Sequence, residues 1–156
     1  MYMAVVFLFM LVFPLLSIVG EVFVLHTNAS LLMLVGKWFV FWAVGMRLFT
    51  AGIRQVITPQ LTTEDILGLK QEESHFFVRE LGFANIAMGL VGICSILNAA
   101  WVLPASLAGG VFFGLAGINH LLRKDKNRKE WLAAASDLWI FLICMGYFLL
   151  MIFYQA

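Results

Sequence analysis

The chain has 156 residues, of which 63% are hydrophobic and 12% charged, with a mean hydropathy of +0.97. A soluble domain carries about a quarter charged residues, so these figures exclude an ordinary soluble fold and indicate an integral membrane protein. The net charge of +1 gives no ground for a nucleic-acid partner, and the two cysteines, Cys94 and Cys144, form no CxxC pair, which points to buried thiols rather than a disulfide relay.

The first apolar run has no basic leader and no small-x-small cleavage site, so it reads as a retained helix over 3–25 rather than a signal peptide. At roughly 23 residues it is long enough to span a bilayer, with Pro14 as a kink that neighbouring helices can absorb. A polar loop leads to a second helix over 31–57, stopped by Pro59. Residues 58–76 form the longest non-spanning stretch. There Thr62-Thr63-Glu64-Asp65 resembles a helix start, with a hydroxyl cap and acids in the first turn, and Ile66, Leu67 and Leu69 suggest a short interfacial helix. The third helix is expected over 77–98. The fourth runs over 102–122, with Pro104 tolerated in its first turn. A basic loop from Arg123 to Glu130 precedes the fifth, over 131–153. The whole chain, 1–156, reads as one all-α membrane domain of five helices.

Basic residues orient this arrangement. Five Lys or Arg lie between the fourth and fifth helices, and Lys70 lies between the second and third, with Arg54 and Arg79 at its two edges, whereas the other two loops have none. Positive loops stay inside. The expected topology therefore places segment 58–76 and the N-terminus in the cytoplasm and the C-terminus outside, in a bacterial inner membrane.

The informative polar residue is Arg47, near the middle of the second apolar run. A guanidinium stays charged at ordinary pH, and at bilayer depth it costs at least ~2.5–3.5 kcal/mol on insertion scales. It needs a partner, water or a ligand. Arg54 comes seven residues later and so shares its helix face, together with Ala43, Thr50 and Ala51. Counting about 1.5 Å per residue brings Arg54, Glu80, His120 and Asp137 to a similar depth, with Arg47 roofing the layer. Asn85 lies on a small-residue stripe with Gly82, Gly89 and Gly92, and Glu80 lies off that stripe. Glu21 stands apart as an outer-side acid, expected either to pair with Lys37 or to take a proton. A metal site of Glu80, His120 and Asp137 is disfavoured because there is no HExxH or ExxH spacing.

Two segments carry a resemblance: Arg47-Leu-Phe-Thr-Ala-Gly-Ile-Arg54-Gln55, and Arg79-Glu80-Leu-Gly82-Phe-Ala-Asn85-Ile-Ala-Met-Gly89. An Arg-containing helix with a Gly and a later basic residue, followed by a helix with a Glu and spaced glycines, resembles the DoxX-like small bacterial membrane proteins. The resemblance covers about the middle half of the chain, closest to an uncharacterised branch of small multi-pass proteins. It implies a four-helix bundle formed by the second to fifth helices, with the first as an addition. Some DoxX relatives are linked to thiosulfate–quinone oxidoreduction and thiol-stress complexes, which implies a quinone or redox partner here. Arg47, Arg54 and Glu80 are the positions the likeness carries over.

Three readings are open. In the first, the cluster binds the polar head of a lipophilic ligand, a quinone or a lipid, with Arg47 and Arg54 as anchors and His120 and Asp137 as proton-transfer groups. In the second, the charges neutralise one another and pin the bundle, and the chain is an interaction subunit or oligomer module, with Ser106, Gly110, Gly114 and Gly117 as an association stripe. In the third, the chain is a small proton-coupled transporter using Glu21 and Asp137.

Overall fold

The computed structural model describes residues 2–64 and 73–155. Five helices are long and apolar enough to cross a membrane: Met3–Phe23, Leu31–Ile57, Ser74–Cys94, Ala99–Leu122 and Arg128–Phe153. They are called spans one to five below. Among the described residues there is no strand. The chain is a multi-pass membrane protein whose large exposed apolar side chains, such as Leu16, Phe83, Leu115 and Leu142, suit contact with lipid.

Several of the expected helix boundaries move, two of them for a clear local reason. The third helix ends at Cys94, not Asn98. The Ser95 hydroxyl donates to the Gly92 carbonyl at 2.7 Å. Asn98 instead opens the next turn, accepting from the Ala100 N–H at 3.0 Å. The fifth helix starts at Arg128, three residues before Trp131, because Asn127 is a side-chain cap: its Oδ1 accepts from the Glu130 N–H at 2.9 Å. The third also begins earlier, at Glu73. In the stretch between spans two and three, Gln60–Thr63 forms a single helical turn. Thr63 is fully buried, and its hydroxyl donates back to the Pro59 carbonyl at 3.3 Å, which closes the turn. The rest of the expected interfacial helix, including Ile66, Leu67 and Leu69, lies outside the described residues.

Spans one and two each contain a stretch of π-helix, Leu8–Val12 and Val40–Met46. In each, an N–H reaches the carbonyl five residues back: Phe13 to Leu8, and Arg47 to Trp42. Pro14 comes directly after the first. It has no N–H, so the carbonyl four residues back, that of Met10, loses its ordinary helical donor. The Trp139 indole of span five donates to that carbonyl at 3.3 Å. Phe9 of the first π segment and Phe13 just after it pack on Trp42 of the second, with ring centroids 5.9 and 4.8 Å apart, and the Trp42 indole donates to Ser17 at 2.9 Å.

Spans two and three pack backbone to backbone. A Cβ on Gly92 would lie 2.5 Å from the Gly45 nitrogen, and one on Gly52 would lie 2.6 Å from the Gly82 carbonyl oxygen. The stripe Gly82, Asn85, Gly89 and Gly92 is thus the face of span three that meets span two. Spans four and five form the other close pair. Gly110 receives Met145, Gly114 receives Phe141, and Gly117 receives Leu138. These small residues, read from sequence as an association stripe, are therefore covered by the chain's own fifth span. Gly109, on another face of span four, meets Val44 of span two. The main core draws Val6, Met10 and Ile18 from span one, Leu34, Phe39, Val44 and Leu48 from span two, Phe113 from span four, and Ile140 and Cys144 from span five. Span one is built into the core. Span three reaches it through partly buried Met88 and flanks span two.

Candidate functional site

The chemistry-bearing residues collect where span four ends and span five begins. His120 is in the last turn of span four, and Arg123 lies just beyond it. Asn127 caps span five and so fixes Glu130 in its first turn, turned inward and 1% exposed. Asp137 is seven residues further on, two helical turns and about 10 Å deeper on the same face, and is 8% exposed.

His120 stands between the two acids. Its Nδ1 is 3.4 Å from Glu130 Oε1, and its Nε2 is 4.0 Å from Asp137 Oδ2. Arg123 Nη1 donates to the same Glu130 oxygen at 3.2 Å. Arg47, from the middle of span two, is engaged within the protein, and its charge acts on Asp137. The cluster therefore joins spans two, four and five. A cavity of about 260 Å³ opens beside it, lined by Asn119, Leu122, Arg123 and Glu130. Buried ionised groups are tolerated where charges oppose one another and hydrogen bonds are met. Here Arg123 meets Glu130, and Arg47 lies within electrostatic reach of Asp137.

The residues expected from sequence divide into those that join this cluster and those that do not. Arg47, His120 and Asp137 belong to it. Arg54 is half-buried, and its side chain makes no salt bridge among the described residues. Glu80 is exposed and enters no ion pair among the described residues, so it does not stand with the cluster. The cause is its place on span three: the glycine stripe is the face that meets span two, and Glu80 lies off it. Asn85 forms a separate buried pair. Its Nδ2 donates to Gln55 Oε1 at 2.7 Å inside the interface of spans two and three, and its own Oδ1 is buried without a hydrogen bond.

Glu21 is held at the other end of the bundle. Lys37 Nζ lies 2.9 and 2.8 Å from its two oxygens, and the Trp38 indole donates to Oε2 at 2.6 Å. The lysine ammonium also sits 4.8 Å from the centroid of the Trp38 ring, a favourable cation–π placement. This latch ties span one to span two. His26 is exposed with φ of 48°, and His75 lies 3.9 Å from Glu64. No three His, Cys, Asp or Glu side chains among the described residues are placed to hold a metal ion.

A family model of a family of unknown function, DUF6790, matches residues 3–155. The chain belongs to this family. No curated protein and no solved structure matches it. The match takes in all five spans and every residue of the cluster, so the cluster lies within the DUF6790 region.

Glu130, its partner Arg123, and Gln55 are polar residues that reading the sequence did not assign to a site. In the sequence, Glu130 looks like the end of the basic loop that precedes it. Two signals mark it: the Asn127-x-x-Glu130 spacing of a helix start with an acid three residues in, and the seven-residue step to Asp137, which puts both acids on one face. Gln55 sits next to Arg54, one position around the helix from the face that carries the two arginines.

Proposed function

We propose that this DUF6790 protein resides in a bacterial inner membrane and binds the polar head of a lipophilic ligand, of the quinone or lipid class, at its buried polar cluster, as an accessory subunit to a redox partner. Its N-terminus is cytoplasmic and its C-terminus outside, with the basic 123–130 loop inside, in keeping with the charge bias of the loops. Arg47 anchors the anionic or carbonyl-bearing head, and His120 and Asp137 exchange protons with it. The likeness to DoxX-like proteins is part of this reading.

The observation that carries it is the cavity of about 260 Å³ lined by Asn119, Leu122, Arg123 and Glu130, which opens at the Glu130 end of the cluster; Arg47, His120 and Asp137 lie beyond its lining. Ligand sites combine such a concavity with a few convergent polar groups. The test is solvent extraction and mass spectrometry of protein purified in mild detergent. Wild-type protein should retain a lipophilic molecule in near-stoichiometric amount, and Arg47→Gln should lose it while keeping its helical content. Equal retention by both proteins would sink the proposal.

One observation favours a second reading, in which the cluster is architectural and the chain is an interaction subunit. Arg47 has Asp137 within electrostatic reach, so its charge is opposed without any ligand. On that reading nothing co-purifies in stoichiometric amount, and the Arg47→Gln protein is destabilised all the same.

A further inference from the structure

A neutral imidazole has one ring N–H and one lone pair. His120 turns both nitrogens toward carboxylate oxygens, Nδ1 to Glu130 and Nε2 to Asp137. With a neutral ring and both acids ionised, one of those contacts sets a lone pair against a carboxylate. One added proton removes the conflict. It can sit on the ring, which then donates to Glu130 and, once the 4.0 Å separation from Asp137 closes by about 1 Å, to Asp137 as well, or on either carboxyl group, which then donates to the ring. The three groups thus offer three adjoining places for one proton. They also run in a line, because Glu130 lines the open cavity whereas Asp137 lies about 10 Å deeper along span five.

We propose that Glu130, His120 and Asp137 form a proton relay from the basic-loop end of the membrane to the level of Arg47. Each transfer is balanced. Glu130 takes a proton from water in the cavity and passes it to Nδ1 of His120. The ring releases its other proton, from Nε2, to Asp137, and the imidazole returns to neutrality in its other tautomer. The return path runs through the same atoms. Imidazole suits the central place because its two nitrogens serve as acceptor and donor at once. Among the described residues, the charged groups facing the relay are Arg123 at the mouth and Arg47 from span two. Span one has no charged side chain at this end, and on span three Arg79 and Glu80 are exposed. The two arginines balance the two carboxylates, so the relay gains a net charge only while it carries the extra proton.

The relay deepens the binding reading, on which it rests for its purpose: it would supply or remove the proton that a carbonyl-bearing or anionic head exchanges beside Arg47. Its existence can be tested without any ligand. Full-length protein in nanodiscs is subjected to a rapid pH drop, and protonation of Asp137 is followed by infrared spectroscopy, with its carboxylic-acid band assigned through loss in Asp137→Asn. Glu130→Gln keeps the side-chain shape and an acceptor for Arg123. His120→Gln removes the central carrier. His26→Gln, on an exposed residue at the other end of the bundle, is the control.

The relay requires both Glu130→Gln and His120→Gln to slow the appearance of the Asp137 band by about a hundredfold, with His26→Gln unchanged. Wild-type rates in Glu130→Gln, or no Asp137 band at any pH at which the protein stays folded, would overturn it. If His120→Gln does not fold, Glu130→Gln decides alone. Slowed exchange in a protein that retains no lipophilic molecule would uphold the relay and remove the binding reading. Unslowed exchange with the molecule retained would do the reverse.

Discussion

Replacing Glu130 with alanine tests the most buried acidic side chain among the described residues. The carboxylate is 1% exposed and meets Arg123 at 3.2 Å and His120 at 3.4 Å. Hydrogen bonds to charged groups contribute about 1.5–3 kcal/mol each. The Arg123 side chain is 35% exposed, so in the variant it can turn to water, and its share falls toward the surface value of about 0–1 kcal/mol. His120 is the more enclosed partner, at 16%, and cannot escape so easily. The helix cap survives, because Asn127 bonds the backbone N–H of residue 130 rather than its side chain. The sum is a loss of about 2–3 kcal/mol, which at ~2–4 °C per kcal/mol for a chain of this size lowers the melting midpoint by roughly 4–12 °C. Thermal unfolding in nanodiscs, followed by circular dichroism, measures this. Glu130→Gln should fall between wild type and alanine. A change under about 0.5 kcal/mol in the alanine variant, the usual result at an ordinary surface position, would refute the placement of this carboxylate.

Three further outcomes are expected from the packing. Gly92→Ala should destabilise by at least about 1–3 kcal/mol, since its Cβ would lie 2.5 Å from the Gly45 backbone, whereas Gly146→Ala, with nothing within 4 Å, should be neutral or slightly stabilising. Chemical or thermal melts of the pair would show it, and equal effects would contradict the backbone contact. Trp139→Phe should cost about 1 kcal/mol through loss of the bond to the Met10 carbonyl. A Pro14→Ala background should reduce that cost, because alanine restores a helical donor to the same carbonyl, and an undiminished cost would reject this account of the kink. Glu21→Gln should weaken the junction of spans one and two by about 1–2 kcal/mol, and proteolysis of the 24–30 loop should quicken with it. An unchanged cleavage rate would count against the latch.

The five spans were legible because length, apolar composition and the Pro59 and basic-loop breaks are one-dimensional signals. The meeting of Glu21 with Lys37 was legible for the same reason: few ionisable residues lie at that end, so depth alone selects the pair. The glycine face of span three could be read from helical spacing, and so could the exclusion of Glu80 from it. Four things were not legible. A π turn depends on how two helices meet: Val40–Met46 has no composition of its own, yet it inserts a residue ahead of Arg47 and re-aims the side chains beyond it. The Trp139 indole finds Met10 across 129 residues of sequence, through a carbonyl left open by Pro14. Glu130 was hidden by charge neighbours that look like a solvated loop, although the asparagine that starts the helix three residues earlier turns it inward. The destination of the Ser106, Gly110, Gly114 and Gly117 stripe is likewise a tertiary fact, since small spacing serves an internal helix and an external one equally well.

The central claim is that Arg47 is held as part of one unit with the acids of span five. A double-mutant cycle of Arg47→Gln and Asp137→Asn, measured as unfolding free energy in nanodiscs, tests it directly. Each single variant leaves a buried charge unopposed, and the double variant removes both, so the account predicts a coupling of about 1–3 kcal/mol, with the double variant more stable than the sum of the singles implies. Additive effects, within about 0.5 kcal/mol, would mean that Arg47 answers to something other than Asp137 and would contradict the cluster as described.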